Sequence, residues 1–249
     1  MKDDKILLAW ANDRLEQCEE CYMISRTDFL DLHQRTLVSN MMKSTVHNCR
    51  VEFFGGYEDS ERTVCFFLPD YADIESVEDL VVAKVKVPAE GRKLTHRDYL
   101  GSLLALGIKR EKTGDILVRP DGADIIILRD LAEFIEMNFV KAGNVPLSVS
   151  IAELSDLQVP EKSYVEREDT VASLRLDNVV SSAFGISRSK AVEAIKKGIV
   201  YINSIECNKP DKEVQEGDKL VLRGKGKAYL LEKGGLSRKG RIYIKLRVY

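Results

Sequence analysis

The chain has 249 residues, of which 44% are hydrophobic and 31% are charged, and its net charge at pH 7 is −2. This length exceeds one average domain and excludes three large ones, while the composition excludes a disordered chain. No apolar run approaches the roughly 18 residues that a membrane helix requires. The short run at residues 6–11 is broken by Asn12 and Asp13, so it does not resemble a signal peptide, and we expect a cytoplasmic protein.

Residues 1–80 are predicted to form an N-terminal α+β domain. Apolar residues recur at helical spacing through residues 5–44, which predicts two helices separated near Ser25–Thr27, where the cap of the second helix is expected. Strand-like runs follow at Arg50–Phe54 and Arg62–Leu68, and the glycine-containing turn between them favours a hairpin.

The five cysteines do not form a disulfide framework. Cys18 and Cys21 make a C-x-x-C pair, and His47 with Cys49 would complete four potential zinc ligands. The spacing lacks a second C-x-x-C or an H-x-x-x-H, however, and the pair lies in a helical pattern. We therefore expect reduced structural thiols and no metal site.

Residues 81–160 are predicted to form a ferredoxin-like middle domain, the plait that RNA-recognition domains also use. Strands and helices follow the order β-α-β-β-α-β, with Thr95 as a helix cap and Pro120-Asp121-Gly122 as a turn. The predicted elements are Val81–Val87, Thr95–Leu106, Asp115–Val118, Ala123–Leu128, Leu131–Val140 and Val145–Ile151. Many unrelated proteins share this plait, so the fold alone does not indicate a function. The polar segment Ser155–Asp169 is interpreted as a linker.

Charge is distributed unevenly between the two parts of the chain. Residues 174–249 contain 17 Lys and Arg against 8 Asp and Glu, a net of +9, whereas residues 1–173 have a net of −11. Such asymmetry is typical of a basic domain that binds a polyanion. In the basic part, one helix is expected to end at Gly185, and Ser187 is expected to cap the next helix, which runs to Lys197.

Several short motifs follow one another in residues 174–249. They are Arg175-Leu176-Asp177, Ser187-Arg188-Ser189-Lys190-Ala191, Ile195, Gly198–Asn203, Pro210 and Gly217-Asp218. In this order they resemble the S-four domain, whose members hold RNA on two helices and the following hairpin. The predicted fold class is therefore α+β, with a C-terminal S-four RNA-binding domain over residues 174–249.

The start of the second helix is the centre of the predicted RNA contact. A cap at Ser187 leaves backbone N–H groups and the positive end of the helix dipole for phosphate, and Arg188 can offer a bidentate fork. Asp177 is expected instead to cap its helix or to orient Arg175. The predicted RNA-binding residues are Arg175, Ser187, Arg188, Ser189, Lys190, Lys196, Lys197, Asn203, Arg223, Lys225 and Lys227.

Two longer segments, His96–Ile116 and Ser173–Phe184, carry a wider similarity. They resemble the YlmH family, and the architecture is similar to that family along nearly the whole chain. The resemblance implies a non-enzymatic bacterial factor of ribosome-associated quality control that binds large ribosomal subunits obstructed by peptidyl-tRNA and assists tailing of the nascent chain. It also implies a link to cell division. We expect ribosomal RNA, the large subunit and peptidyl-tRNA as partners, no cofactor, no membrane contact and a monomeric free protein.

A second RNA contact is expected around a helix-to-strand loop of the middle domain. Lys109, Arg110, Lys112 and Arg119 cluster there, although an ordinary exposed loop explains them equally well. His96, near a helix start, is interpreted as structural rather than catalytic.

Two other functions remain open at this point. S-four domains are often joined to pseudouridine synthases, and Arg175-Leu176-Asp177 resembles part of their catalytic motif, but here it lies inside the S-four helix. No Walker pattern and no recognisable catalytic triad accompanies it. The second alternative is a cell-division adaptor that binds basic protein partners through the acidic first part of the chain.

Overall fold

The computed structural model describes residues 2–88, 93–160 and 164–249. The chain divides into two compact units, Met1–Pro160 and Glu161–Tyr249. The expected separate domains over residues 1–80 and 81–160 thus fall within one unit, because they share a hydrophobic core. In the described part of the chain, no helix combines the length and the apolar character needed to cross a bilayer.

The first part of the N-terminal unit is a three-stranded antiparallel sheet with two helices on one face. Its elements are α1 (Lys2–Cys21), β1 (Ser25–Leu30), α2 (Leu32–Ser44), β2 (Arg50–Phe54) and β3 (Thr63–Leu68). The strand order is β1-β3-β2. On β3, Cys65 and Phe67 pack with the helices, while Val64 and Phe66 point to the other face.

The sequence prediction for Ser25–Leu30 was wrong, because this segment is strand β1 and not the start of a helix. Thr27 does not cap α2; its hydroxyl accepts a hydrogen bond from the backbone N–H of Cys65 on the neighbouring strand. The cap is Asp31, whose carboxylate accepts from the N–H of Gln34 while the Gln34 side chain accepts from the N–H of Asp31. This reciprocal capping box fixes the start of α2.

The second part of the N-terminal unit is a four-stranded plait with helices on one face. It comprises β4 (Leu80–Lys86), α3 (His96–Ala105), β5 (Thr113–Arg119), β6 (Gly122–Leu128), α4 (Ala132–Asn138), the small hairpin β7 (Lys141–Ala142) and β8 (Val145–Pro146), and β9 (Ser148–Ala152). All neighbouring strands are antiparallel in the order β5-β6-β4-β9. This is the ferredoxin-like topology, so the predicted order of elements is confirmed.

The face of the plait sheet opposite its helices is covered by the first sheet. Leu80, Ile126 and Leu128 from the plait pack with Phe29 and with the outward face of β3 in one buried cluster. Polar contacts reinforce this junction. Buried Asp115 accepts hydrogen bonds from the Tyr57 hydroxyl at 2.8 Å and from two backbone N–H groups of the β2–β3 loop, Glu61 at 2.7 Å and Arg62 at 3.1 Å.

RNA-recognition domains bind bases on aromatic residues of the sheet face that lies opposite the helices. The plait strands contain no aromatic residue in that position, and the first sheet occupies much of the face. The remainder carries buried Asp124, which pairs with Lys84 and accepts from the N–H of Gln158. The plait therefore does not present an RNA-recognition surface of that kind.

The C-terminal unit is a six-stranded antiparallel sheet with two helices on one face. Its elements are β10 (Val165–Val171), α5 (Leu176–Phe184), α6 (Arg188–Lys196), β11 (Val200–Ile202), β12 (Ile205–Glu206), β13 (Lys219–Leu222), β14 (Gly226–Leu236) and β15 (Ile242–Val248). The strand order is β10-β15-β14-β13-β11-β12. Val179, Val180 and Ile195 on the helices pack against Leu230 and Leu246 of the sheet.

The linker prediction for Ser155–Asp169 was wrong over its second half. Val165–Asp169 belong to strand β10, which pairs with β15 along its whole length. The segment is highly charged because β10 is an edge strand, where charged side chains discourage pairing with other chains. Glu161, also assigned to the linker, lies outside the described residues.

We expect Phe29→Ala to lower the free energy of unfolding of the N-terminal unit by about 3–5 kcal/mol, because it empties a fully buried site in the shared core. Urea unfolding followed by the fluorescence of Trp10, the single tryptophan, reports on this unit. Phe134→Ala is the matched control, since Phe134 is 42% exposed. Equal effects of the two substitutions would contradict a shared core.

Candidate nucleic-acid interface

The turn between α5 and α6 sets the geometry of the candidate interface. Gly185 ends α5 in the left-handed conformation, with φ of 60°, and the chain then reverses into α6. The Ser187 side chain accepts a hydrogen bond from the N–H of Lys190 at 3.3 Å, so the predicted cap is present. The backbone N–H groups of the first turn of α6 point along the helix axis, where the dipole favours an anion.

A single carboxylate joins the starts of the two helices. Asp177, in the first turn of α5, is only 2% exposed at its side chain. It accepts two hydrogen bonds from Arg188, at 3.0 and 2.8 Å, and two from Arg175, at 3.2 and 3.3 Å. The N–H of Asn178 adds a fifth at 3.0 Å. The carboxylate is therefore saturated by donors.

The two guanidinium groups are held from one side and open on the other. The Arg175 side chain is 42% exposed and the Arg188 side chain is 57% exposed. Planar guanidinium groups present donors on several edges, so those not turned to Asp177 remain available to a phosphate or a base edge. The arrangement fixes two cationic forks at the surface before any ligand binds.

The pKa of Asp177 reflects this pairing. Burial on its own raises the pKa of the carboxyl, but hydrogen bonds from Arg175 and Arg188 outweigh it and leave the pKa below its usual value. The carboxylate is therefore charged throughout the neutral range. It contributes stability above its unfolded pKa of 3.8, and this contribution is lost as the pH falls through the lower folded pKa.

The other predicted residues of α6 lie at its exposed surface. Ser189, Lys190 and Lys196 are exposed. Lys197 is also exposed and pairs with Glu193 one turn earlier at 2.6 Å. These side chains add positive charge along the helix that begins at Arg188.

Asn203 has a structural task that the sequence did not reveal. It adopts φ of 51° in the turn between β11 and β12. Its amide N–H donates to Asp218 at 2.7 Å, and its amide oxygen accepts from the N–H of Lys219 at 2.9 Å. Both ends of the side chain thus help to fix the hairpin against β13.

The predicted basic residues beyond β13 divide between two places. Arg223 and Lys225 are exposed in the β13–β14 turn. Lys227 does not extend the helical surface, because its neighbours Ala228 and Leu230 alternate into the core beneath the helices. Lys227 therefore lies on the opposite face of the sheet, 4.7 Å from the centre of the Tyr249 ring.

The expected second cluster in the middle domain does not form a free cationic surface. Arg110 turns inward and donates to Thr113 and Gly114, and burial lowers its pKa to about 10. Lys112 pairs with Asp28 at 2.9 Å. Arg119 is bound by Asp121 and by buried Asp124. Lys109 alone of these four is an exposed side chain.

The potential zinc ligands near the N-terminus are also not assembled. The Cys18 and Cys49 sulfurs are buried 2.9 Å apart, whereas Cys21 is exposed. Burial, with Cys49 as a second cause, raises the pKa of Cys18 to about 12, so this thiol is protonated at neutral pH. Across residues 2–88, 93–160 and 164–249, no group of three or more potential ligands gathers in one place.

Comparison with known proteins agrees with this geometry. Residues 76–156 match the family model described as "Putative RNA-binding domain in YlmH", and residues 174–220 match the model described as "S4 domain". The chain is 32% identical over 239 residues to "Ribosome-associated protein quality control protein P2" of Bacillus subtilis (strain 168), covering 96% of this chain and 92% of that protein. The chain belongs to the YlmH family.

A solved structure extends the comparison for the YlmH family. "Cell division protein ylmH from Streptococcus pneumoniae" aligns with 64% of this chain and 95% of its own, with a TM-score of 0.51. Its sequence identity of 24% supports a shared fold only. The α+β class and the family resemblance inferred from the sequence are both confirmed.

We expect Asp177→Asn to weaken RNA binding roughly tenfold, because it releases two arginine side chains that each lose about 0.5–1.5 kcal/mol of rotamer entropy on binding. It should also lower the free energy of unfolding of the C-terminal unit by about 1.5–3 kcal/mol, the range for hydrogen bonds to a charged group. Binding is measured with purified large ribosomal subunits. The exposed Glu213 provides the control Glu213→Gln, which removes one charge from the same unit.

The pH dependence of stability shows whether the negative charge of Asp177, rather than the size and shape of its side chain, stabilises the unit. Since the folded pKa is lowered, the stability difference between wild type and Asp177→Asn should be largest above pH 3.8 and shrink as the pH falls further. Chemical unfolding at a series of pH values measures this difference. A difference that stays constant through acid would argue against a charged Asp177 as the source of the stability.

Proposed function

We propose that this chain is a non-enzymatic RNA-binding factor that binds ribosomal RNA and tRNA on stalled large ribosomal subunits and assists tailing of the nascent chain. The observation that carries the proposal is the pair of guanidinium groups, Arg175 and Arg188, fixed by Asp177 at the start of α6. It lies in a part of the chain that matches the S-four domain model. RNA is the polyanion to which such a module is suited.

The chemistry of the site is phosphate recognition by preorganised donors. A guanidinium fork binds a phosphate through two parallel hydrogen bonds, and the N–H groups of the first turn of α6 add donors beside it. Lys190 and Lys196 act as point charges along the same helix. The two guanidinium groups and the helix N–H groups are already in place before RNA binds, and this favours affinity for a rigid, folded RNA.

The ribosomal target is supported by the family relationship. The Bacillus subtilis relative is named as a ribosome-associated quality control protein, and it aligns with nearly the whole chain. We infer that this chain works in the cytoplasm as a monomer until it meets a large subunit that carries peptidyl-tRNA. The particle that co-purifies with the tagged full-length protein tests the target directly.

A pseudouridine synthase is the enzymatic alternative, and the environment of Asp177 argues against it. A catalytic aspartate needs access to the base, whereas this carboxylate is 2% exposed and already accepts five hydrogen bonds. Ribosomal RNA incubated with the protein and then mapped for pseudouridine and methyl marks should carry no new mark. A new mark that depends on the protein would overturn the non-enzymatic proposal.

A role in cell division is the other candidate, since the similar pneumococcal structure is named as a cell division protein. The acidic first 173 residues, with a net charge of −11, would then meet a basic protein partner. A pull-down that recovers division proteins but no ribosomal subunits would favour this adaptor over the ribosomal role.

We expect Arg188→Ala to lower the affinity for large subunits by at least tenfold at physiological salt, because it removes a charge-assisted contact worth about 1.5–3 kcal/mol. Sucrose-gradient co-sedimentation measures the loss. The slope of log K against log salt should also fall by about 0.7–0.9, the change for one phosphate contact.

Two variants control for this result. Arg238→Ala removes the same charge from an exposed turn between β14 and β15 and should leave subunit binding unchanged. Arg188→Lys keeps the charge but loses the fork, so its affinity should lie between wild type and Arg188→Ala. Unchanged binding by Arg188→Ala would count against this residue as the centre of the interface.

A further inference from the structure

The sheet of the C-terminal unit has a second face that the helices do not cover. Ala228 and Leu230 on β14 and Ile244 and Leu246 on β15 point into the core with α5 and α6. Because side chains alternate along a strand, the residues between them point to the opposite face. At one end of the sheet, that face carries Tyr164, Lys227, Tyr229, Arg247 and Tyr249, with Val221 of β13 beside Lys227.

Three tyrosine rings on this face form a contiguous group, which we call the tyrosine platform (Tyr164, Tyr229 and Tyr249). The Tyr249 ring centre lies 5.7 Å from that of Tyr164 and 6.0 Å from that of Tyr229. Tyr164 is 49% exposed, and the other two rings are half-buried. None of the three belongs to the hydrophobic core of the unit.

Two cations lie against the tyrosine platform. The Lys227 ammonium is 4.7 Å from the Tyr249 ring centre and 5.6 Å from that of Tyr229. The Arg247 guanidinium is 4.4 Å from the Tyr164 ring centre. Cations at these distances are attracted to the ring faces, and they also provide charge for a phosphate that follows a stacked base.

The backbone holds the tyrosine platform in place. The N–H of Tyr249 donates to the carbonyl of Lys227 at 2.9 Å, which continues the β14–β15 pairing beyond Val248. At Gly226 a Cβ atom would lie 2.5 Å from the Tyr249 carbonyl oxygen, so only glycine permits this close approach. Tyr249 is thus fixed by its neighbours on the sheet.

The charge around the tyrosine platform suits a polyanion. Arg223 and Lys225 are exposed in the turn at the same end of the sheet, next to Lys227. Glu166 offsets part of this charge, since it lies 3.4 Å from Arg247 and 2.8 Å from Lys245. A surface that combines aromatic rings with basic side chains is the arrangement that proteins use to bind single-stranded nucleic acid.

We propose that the tyrosine platform is a second RNA contact, at which unpaired nucleobases stack while Lys227 and Arg247 meet the adjoining phosphates. The inference rests on the proposed function and extends it, because the platform lies on the face of the sheet opposite Arg188. The three tyrosines and the two cations all lie outside residues 174–220, which match the S-four domain model. The unit would then bind folded RNA on its helical face and an unpaired strand on its sheet face.

The test uses the full-length protein and decauridine carrying a fluorescein label, with fluorescence anisotropy as the readout. Tyr164→Leu combined with Tyr249→Leu keeps apolar bulk but removes two ring faces, and the affinity should fall on the order of tenfold or more. Tyr243→Leu is the matched control, because Tyr243 is 51% exposed on the same face at the far end of β15. Unchanged affinity of the folded double variant would overturn the proposal.

A labelled abasic strand of the same length separates stacking from phosphate contact. Wild type should bind it more weakly than decauridine, and the double variant should bind both strands alike. Equal binding of the two strands by wild type would also overturn the proposal. Should the double variant unfold, Tyr164→Leu alone replaces it, since Tyr164 precedes β10 and is half-exposed.

The tyrosine platform and the Arg188 interface are distinguishable in the same assays. Arg188→Ala should reduce subunit binding while keeping the preference for decauridine over the abasic strand, whereas the tyrosine variants should abolish that preference. Failure of one of these predictions therefore does not count against the other. Unlabelled deacylated tRNA and, separately, large subunits are added to the protein with bound decauridine. The one that displaces decauridine is the source of the unpaired base. Displacement by neither would count against a role on the ribosome.

Discussion

A carboxylate removed from water needs cationic or N–H partners, and in the S-four domain Asp177 imposes that requirement on its surroundings. Its partners Arg175 and Arg188 come from the starts of two successive helices, so one buried charge links the two helix starts and fixes the position of both guanidinium groups. Stability and recognition thus rest on the same contact. Asp177 lies buried beneath the two arginines. Because both donate hydrogen bonds to it, their guanidinium groups are held at the surface above it.

Local signals made much of this architecture predictable from the sequence. Ser187 has the residue type of a helix cap and Gly185 the type of a helix end, and both occupy those positions. The β-α-β-β-α-β order of the plait also follows from periodicity and turns. Strand β1 could not be found in this way, because Ser25–Leu30 is a strand only through its pairing with β3, which lies more than 30 residues later.

The candidate site was less predictable, because the sequence does not show which group a basic side chain will contact in the fold. Arg110, Lys112 and Arg119 look like a surface cluster in the sequence, yet they bind backbone carbonyls, Asp28 and Asp124. The acids lie in other elements, and no local pattern links them. Lys227 was assigned to the correct module but to the wrong face, since only the strand alternation around Ala228 and Leu230 decides that question.

The cluster that joins the first sheet to the plait has a consequence for how this chain can be divided. Removing residues 1–80 would uncover Ile126 and Leu128 together with the central strand β6 that carries them. An uncovered apolar sheet favours self-association, so the plait by itself would tend to aggregate. Residues 1–80 and the plait therefore need each other to fold into a stable protein, although sequence patterns describe them as separate domains.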